Sequence, residues 1–174
     1  MDGHNDNDNS KKEINYLVHD EGKKLLQEMR IDDYNRWRMK NLTIKPDISG
    51  DNLSGKNLSG AYLNGANCTQ ANLSYCNLTK TNLVQADLSR ADLKGADLNG
   101  ALLMYCDMKE CNLADANLTK ANLMWANLQG SNLTHCIISR TNFVEANLTN
   151  AKLPNVGKQE AYIKYAKLQG TLWA

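Results

Sequence analysis

The sequence predicts an all-β solenoid of four-sided coils, twenty residues to the coil, on the strength of two positional counts and the placement of glycine. From Ile48 to Leu153 a large apolar residue occupies every fifth position, giving 22 consecutive centres that are Leu except at Ile48, Cys68, Met108, Ile138 and Phe143. Two residues before the 19 centres from 63 to 153 stand twelve Ala, four Cys, two Thr and one Ser, and nothing larger. Eight of the eleven glycines, at 50, 55, 60, 65, 95, 100, 130 and 170, fall two residues after a centre.

A period of five matches neither the 3.6-residue turn of a helix nor the two-residue alternation of a strand, so neither element keeps all these centres on one buried face. Short sides of five residues do, if four of them close a coil and the coils stack into one apolar column. Leu63, Leu83, Leu103, Leu123 and Phe143 then lie above one another along one side. The upstream position must be small because four Leu-sized side chains already fill each coil. Backbone groups left over within a coil pair with the coils above and below at about 4.8 Å, and some 110 residues build a column about 26 Å tall. Glycine two residues after a centre marks the corners, where a turn calls for positive φ. Asn or Asp precedes most centres, as in ADLKGADLNG (91–100) and ANLTKANLMW (116–125). Its regularity points to backbone satisfaction or solvation throughout the repeat rather than to a carboxylate site or an ice-binding array.

These motifs resemble the pentapeptide-repeat family, whose consensus is Ala, Asp or Asn, Leu and two variable residues. The resemblance covers residues 46–155 and implies a right-handed quadrilateral parallel β-helix. Upstream, NRWRMKNLTIKPDISG (35–50) is similar to a prefix of cyanobacterial members, with Leu42 where Pro is usual. The best-known activity in the family is protection of DNA gyrase from quinolones by an acidic, DNA-mimicking rod. Here residues 46–170 hold eleven Lys or Arg against ten Asp or Glu. A polyanion mimic needs a strongly negative surface, so charge disfavours gyrase modulation and leaves it the alternative reading, one that protection or inhibition of gyrase in a supercoiling assay would revive.

Four segments follow in order. Residues 1–9 are read as a disordered polar tail. Residues 10–45 form a helical cap: Ser10 and Glu13 make a capping box, and Ile14, Leu17, Val18, Leu25 and Met29 recur at helical spacing, interrupted near Gly22. A second helix begins at Asp32 or Asp33, presents Tyr34 and Trp37 on one side, and ends before Pro46. Its expected role is to cover the first coil, since an uncapped solenoid exposes core Leu and an unpaired edge. Residues 46–155 are the repeats. Around the start of 156–174, Pro154, Gly157 and Lys158 break the rhythm, Ile163 and Leu168 resume it, and 158–168 is either a last coil or a helix. Leu172, Trp173 and Ala174 leave apolar residues at that end in need of a cover.

Composition narrows the function classes. Net charge is +1 over 174 residues, and no apolar run reaches eighteen residues, so neither nucleic acid nor membrane is an expected partner. Five Cys at 68, 76, 106, 111 and 136 all occupy inward positions, which suits small buried hydrophobes in a reducing cytoplasm better than disulfides or a metal site. Asp2, His4, Asp6 and Glu13 echo a calcium-loop spacing, but Asn7 replaces the necessary Gly. The three His, at 4, 19 and 135, make no acid–base pair, and His135 is expected to face solvent. No phosphate loop occurs. The expectation is a non-enzymatic cytoplasmic protein without cofactor, metal or small-molecule substrate.

Outward residues remain as the seat of function. Sorting them by side places Val84, Met104, Met124 and Val144, each just after a centre, on one side together with Leu102, Tyr105 and Trp125. Stacked Met and Trp are the composition of a contact surface, so this strip is the candidate site for a protein partner or a second copy of the chain. Coverage by the N-terminal helices, or stacking without a partner, is the competing reading. A sparse column of Lys80, Lys120 and Arg140 on a neighbouring side reads as a solvated face, because no exposed aromatics interleave it.

Overall fold

The computed structural model describes residues 20–174. The capping box, Ile14, Leu17, Val18, the polar tail and the calcium-like spacing lie outside the described residues. From residue 47 onward, parallel bridges join residues twenty apart: Asp47 to Asn67, Asn52 to Asn72, Asn57 to Asn77, Tyr62 to Asn82, and on to Asn147 with Lys167. Four bridges per twenty residues and a turn in every pentapeptide give the coil four sides. Each bridge involves the single residue before a centre, so a side is one paired residue flanked by turns rather than a strand of several.

The hydrogen bonding explains why the pattern repeats. From Ile48 to Leu133 each centre amide donates to the carbonyl before the centre in the next coil, as Leu63 does to Asn82 at 2.8 Å, and Asn82 donates back to Ala61 at 3.0 Å. The corner amide does likewise, Gln85 donating to Met104 O at 2.9 Å. The centre carbonyl accepts from the amide three residues on, which closes the turn within the coil, as from Ala86 to Leu83 at 2.9 Å. One amide per repeat is left, that of the residue after the centre, and the Asn or Asp side chain before the centre takes it. Asn82 Oδ1 accepts from Val84 N at 3.1 Å, Asp87 from Ser89 at 2.9 Å and Asn122 from Met124 at 3.2 Å. In Asp47 this bond from the Ser49 amide holds the carboxyl below its ordinary value.

Every corner from Gly50 to Asn150 has positive φ, between 54° and 70°, whether or not it is glycine. Gln, Lys, Arg, Glu, Tyr and Trp therefore sit in a left-handed conformation that costs an L-residue about 1–2 kcal/mol. No corner is β-branched, the residue class that tolerates this region least. Gly95 has a second constraint, since a Cβ there would stand 2.6 Å from the ring of Tyr75 one coil earlier.

All 22 centres are buried, and Leu63, Leu83, Leu103, Leu123 and Phe143 are fully so. Polar atoms in the small-residue column find acceptors: Thr81 and Thr141 hydroxyls donate to Leu58 O and Leu118 O at 2.9 and 2.7 Å. Cys76, Cys106 and Cys136 thiols reach Leu53 O, Leu83 O and Leu113 O at 2.8–2.9 Å. Burial raises the thiols, Cys106 and Cys136 to about 12. A thiol so raised favours the folded state fully below the unfolded value near 9, and that contribution is lost as pH climbs from there towards 12. Two outcomes are expected: all five thiols resist a thiol-reactive disulfide reagent at pH 8 until denaturant is added, and the unfolding midpoint falls above pH 9.

Among the described residues two helices precede the repeats, α1, helical from the first described residue to 27 (20–27), and α2 (Ile31–Lys40). The interruption expected near Gly22 is absent; α1 runs through it. Glycine is required there because the Trp37 ring packs where its Cβ would be, 2.3 Å from the nearest ring atom. The second helix starts at Ile31, earlier than Asp32 or Asp33, with Met29 turning the chain at φ 58° and Asp32 and Asp33 inside the first turn. Leu25, Leu26, Tyr34 and Trp37 join the apolar column.

At the other end the expected exposure of Trp173 is corrected. Residue 173 lies twenty beyond Leu153, and Trp173 is only 4% exposed, filling the position of a further centre. Its Nε1 donates to Pro154 O at 3.0 Å. Lys158, at a centre position, instead extends its ammonium to Trp173 O at 2.5 Å. Between Leu153 and Lys158 the chain bulges, and a 3₁₀ turn at Lys158–Glu160 returns it to register, so 161–170 is coil rather than helix, with Tyr162 bridged to Asn142. Leu172 stays exposed.

Candidate interaction site

One side carries the predicted strip, and the N-terminal helices reach this side in the first coil. Residues 60–64 have no preceding coil to pair with, and α2 supplies the missing groups: Asn35 Oδ1 accepts from Tyr62 N at 2.9 Å, Tyr34 Oη donates to Tyr62 O at 3.0 Å, and Arg38 donates to Asn64 O at 3.2 Å. Asn35 Nδ2 adds a bond to Gly60 O at 3.0 Å. Arg38 is buried, its second amino group on Asn41 O at 2.8 Å, and Lys23 anchors α1 to Asp51 at 2.8 Å. Three backbone bonds of a coil are thus reproduced by three side chains of one helix. Sequence reasoning picked out Tyr34 and Trp37 there but missed Asn35 and Arg38, since polar residues on a helix give no sign that their acceptors lie on a neighbouring coil.

Beyond residue 64 the side is open among the described residues. Val84, Met104, Met124 and Val144 form a half-buried column just after the centres. Leu102 is 38% exposed on one flank, and Tyr105 and Trp125 are 52% and 40% exposed on the other. The structure brings all seven predicted residues onto one face. Tyr105 and Trp125 stack with ring centroids 4.8 Å apart and planes 8° from parallel, a contact set by the coil spacing. Leu102 occupies a position usually held by Asn or Asp, so the amide of Met104 lacks the side-chain acceptor its equivalents have. An apolar residue has here replaced one that serves the backbone.

The Lys80, Lys120 and Arg140 column lies exposed at the corner leading into this face. His135 is exposed as expected. Among the described residues no group of three or more His, Cys, Asp or Glu is placed to hold a metal, and no helix is long and apolar enough to cross a membrane.

The architecture is that of a repeat protein built on a pentapeptide. The family described as pentapeptide repeats matches in eight copies, over 49–79, 66–103, 91–130, 106–143 and 126–156. The chain belongs to the pentapeptide-repeat family. Similar solved structures include a pentapeptide-repeat protein of the Arabidopsis thaliana thylakoid lumen, 31% identical over 62% of this chain and 73% of that one, TM-score 0.48. Another is Rfr23 of the cyanobacterium Cyanothece 51142, 30% identical over 80% and 97%, TM-score 0.32. A third is QnrB1, a plasmid-mediated fluoroquinolone resistance protein, 21% identical over 71% and 77%, TM-score 0.47. No curated protein matches the chain.

Proposed function

We propose that this protein is a non-enzymatic interaction module, a rigid β-helical rod that binds a protein through the face of Val84, Leu102, Met104, Tyr105, Met124, Trp125 and Val144. We take the rod to be the right-handed quadrilateral form that family membership implies, with the helices as its N-terminal cap, working in the cytoplasm. The carrying observation is that, among the described residues, an apolar strip with an exposed, stacked Tyr–Trp pair lies on a side that α2 covers in its first coil alone. Solvent exposure of these groups is unfavourable by about 25 cal/mol per Å², and contact with a partner removes it. Burial raises the thiols, and those of Cys76, Cys106 and Cys136 reach core carbonyls, so the cysteines are poor nucleophiles, and the near balance of charge over the repeats gives no support to DNA mimicry.

The test is the M124S/W125K variant. Both residues lie outside the packed column, so the fold is expected to survive, judged by an unchanged unfolding midpoint. Mass in solution, or the set of proteins captured from lysate, is expected to change. With the fold intact, an unchanged mass together with an unchanged capture set contradicts the proposal.

A further inference from the structure

Resting on that reading of the strip, we infer that its occupant is an amphipathic α-helix of a different protein, with acidic residues along one flank of its apolar stripe and basic residues along the other. Half-buried residues form the floor of the strip, between exposed Leu102 on one flank and exposed Tyr105 and Trp125 on the other. Its floor, Val84, Met104, Met124 and Val144, repeats at the coil spacing of about 4.8 Å, a run of about 14 Å. A helix advances about 5.4 Å per turn, so three turns keep an apolar residue near each floor position. An extended peptide places same-face side chains about 6.8 Å apart and loses step within two residues. Two of the four floor residues are Met, whose unbranched side chains absorb the remaining mismatch with a helix.

The ridge excludes other ligands. Tyr105 and Trp125 each spend a ring face on the other, so the pair does not form the flat platform that a sugar or a quaternary cation needs. A second copy is disfavoured by area: seven residues over four coils, about 19 Å of column, fall well short of the about 800 Å² per partner that a stable protein–protein interface buries.

Charge on the two borders sets the helix's flanks. Along the edge leading into the face stand Lys80, Lys120 and Arg140, all exposed. Along the opposite edge stand Glu145 and, on the adjoining side, Asp87 and Asp107; Asp107 shares its carboxylate with Lys109 at 3.1 Å. An apolar stripe flanked by Glu or Asp towards the first edge and by Lys or Arg towards the second matches both, and it fixes the direction in which the helix lies.

The experiment pans a display library of random 16-residue peptides against the full chain, with counter-selection against the folded M124S/W125K variant. Enriched peptides are expected to carry apolar residues at i, i+3 or i+4, and i+7, with opposite charges on the two flanks. A synthetic copy of the most enriched peptide is expected to lose affinity about tenfold when its flanking charges are exchanged, and to regain it when Lys80 and Lys120 are both changed to Glu. Enrichment of proline-rich or strictly alternating peptides, no enrichment over the variant, or indifference to charge exchange overturns the inference. In any of those cases a changed mass or capture set for M124S/W125K still upholds the strip as a contact surface, so the two ideas fail separately.

Discussion

Leu103→Ala is expected to lower the free energy of unfolding by about 3–5 kcal/mol, read from the midpoint of a urea titration at unchanged slope. Leu103 is fully buried, stacked between Leu83 and Leu123, and its amide is bonded to Asn122 O at 2.8 Å. The backbone of the coil is thereby fixed from above and below, so the wall cannot collapse into the space the side chain leaves. Loss at the upper end of the range follows from that rigidity. Because each coil contacts only its neighbours, the effect is transmitted through two interfaces rather than one, and the transition is expected to remain cooperative over so short a stack. A loss below about 1 kcal/mol contradicts a leucine-filled column.

Trp173→Ala is expected to cost about 3–5 kcal/mol. The indole fills the centre position above Leu153, occupies Pro154 O, and holds the turn whose carbonyl receives Lys158. Without it, Ile163 and Leu168, already half-buried at the end of the stack, lose their cover. Loss of the last coil is expected to follow, visible as early proteolysis within 156–174 at temperatures where 60–150 stays intact. Trp173→Phe, which keeps the ring packing and removes the donor, is expected to cost about 1–2 kcal/mol, close to a lost buried hydrogen bond. Equal effects from Ala and Phe contradict the packing role.

The apolar column was legible because it rests on a count that no other element satisfies. From Ile48 to Leu153 no polar residue interrupts it, and all these centres are buried. The corners were only half legible. Glycine announced eight of them, but Gln85, Lys120 and Glu145 look like ordinary surface residues, and their left-handed backbone follows from register rather than residue type. The available sign was a negative one, the lack of β-branched residues at those positions. Trp173 was legible by stepping five beyond Leu168, but the break at Pro154–Lys158 obscured the count. The coil-mimicking bonds of Asn35 and Arg38 were not legible at all, because they depend on where α2 docks rather than on the helix itself. Sorting outward residues by twenties assembled the strip, whereas the stacking of Tyr105 on Trp125 needed the rotamers of both.

Residue-resolved amide hydrogen exchange tests the central claim most directly. Between residues 67 and 134 four amides of each pentapeptide donate to backbone carbonyls, and the fifth, after the centre, rests on an Asn or Asp side chain alone except at Met104. Protection is therefore predicted to dip once every five residues, at Thr69, Ser74, Thr79 and onward, and to fall furthest at Met104, where Leu102 offers no acceptor. Protection with a helical period, or uniform fast exchange through this stretch, contradicts the coil.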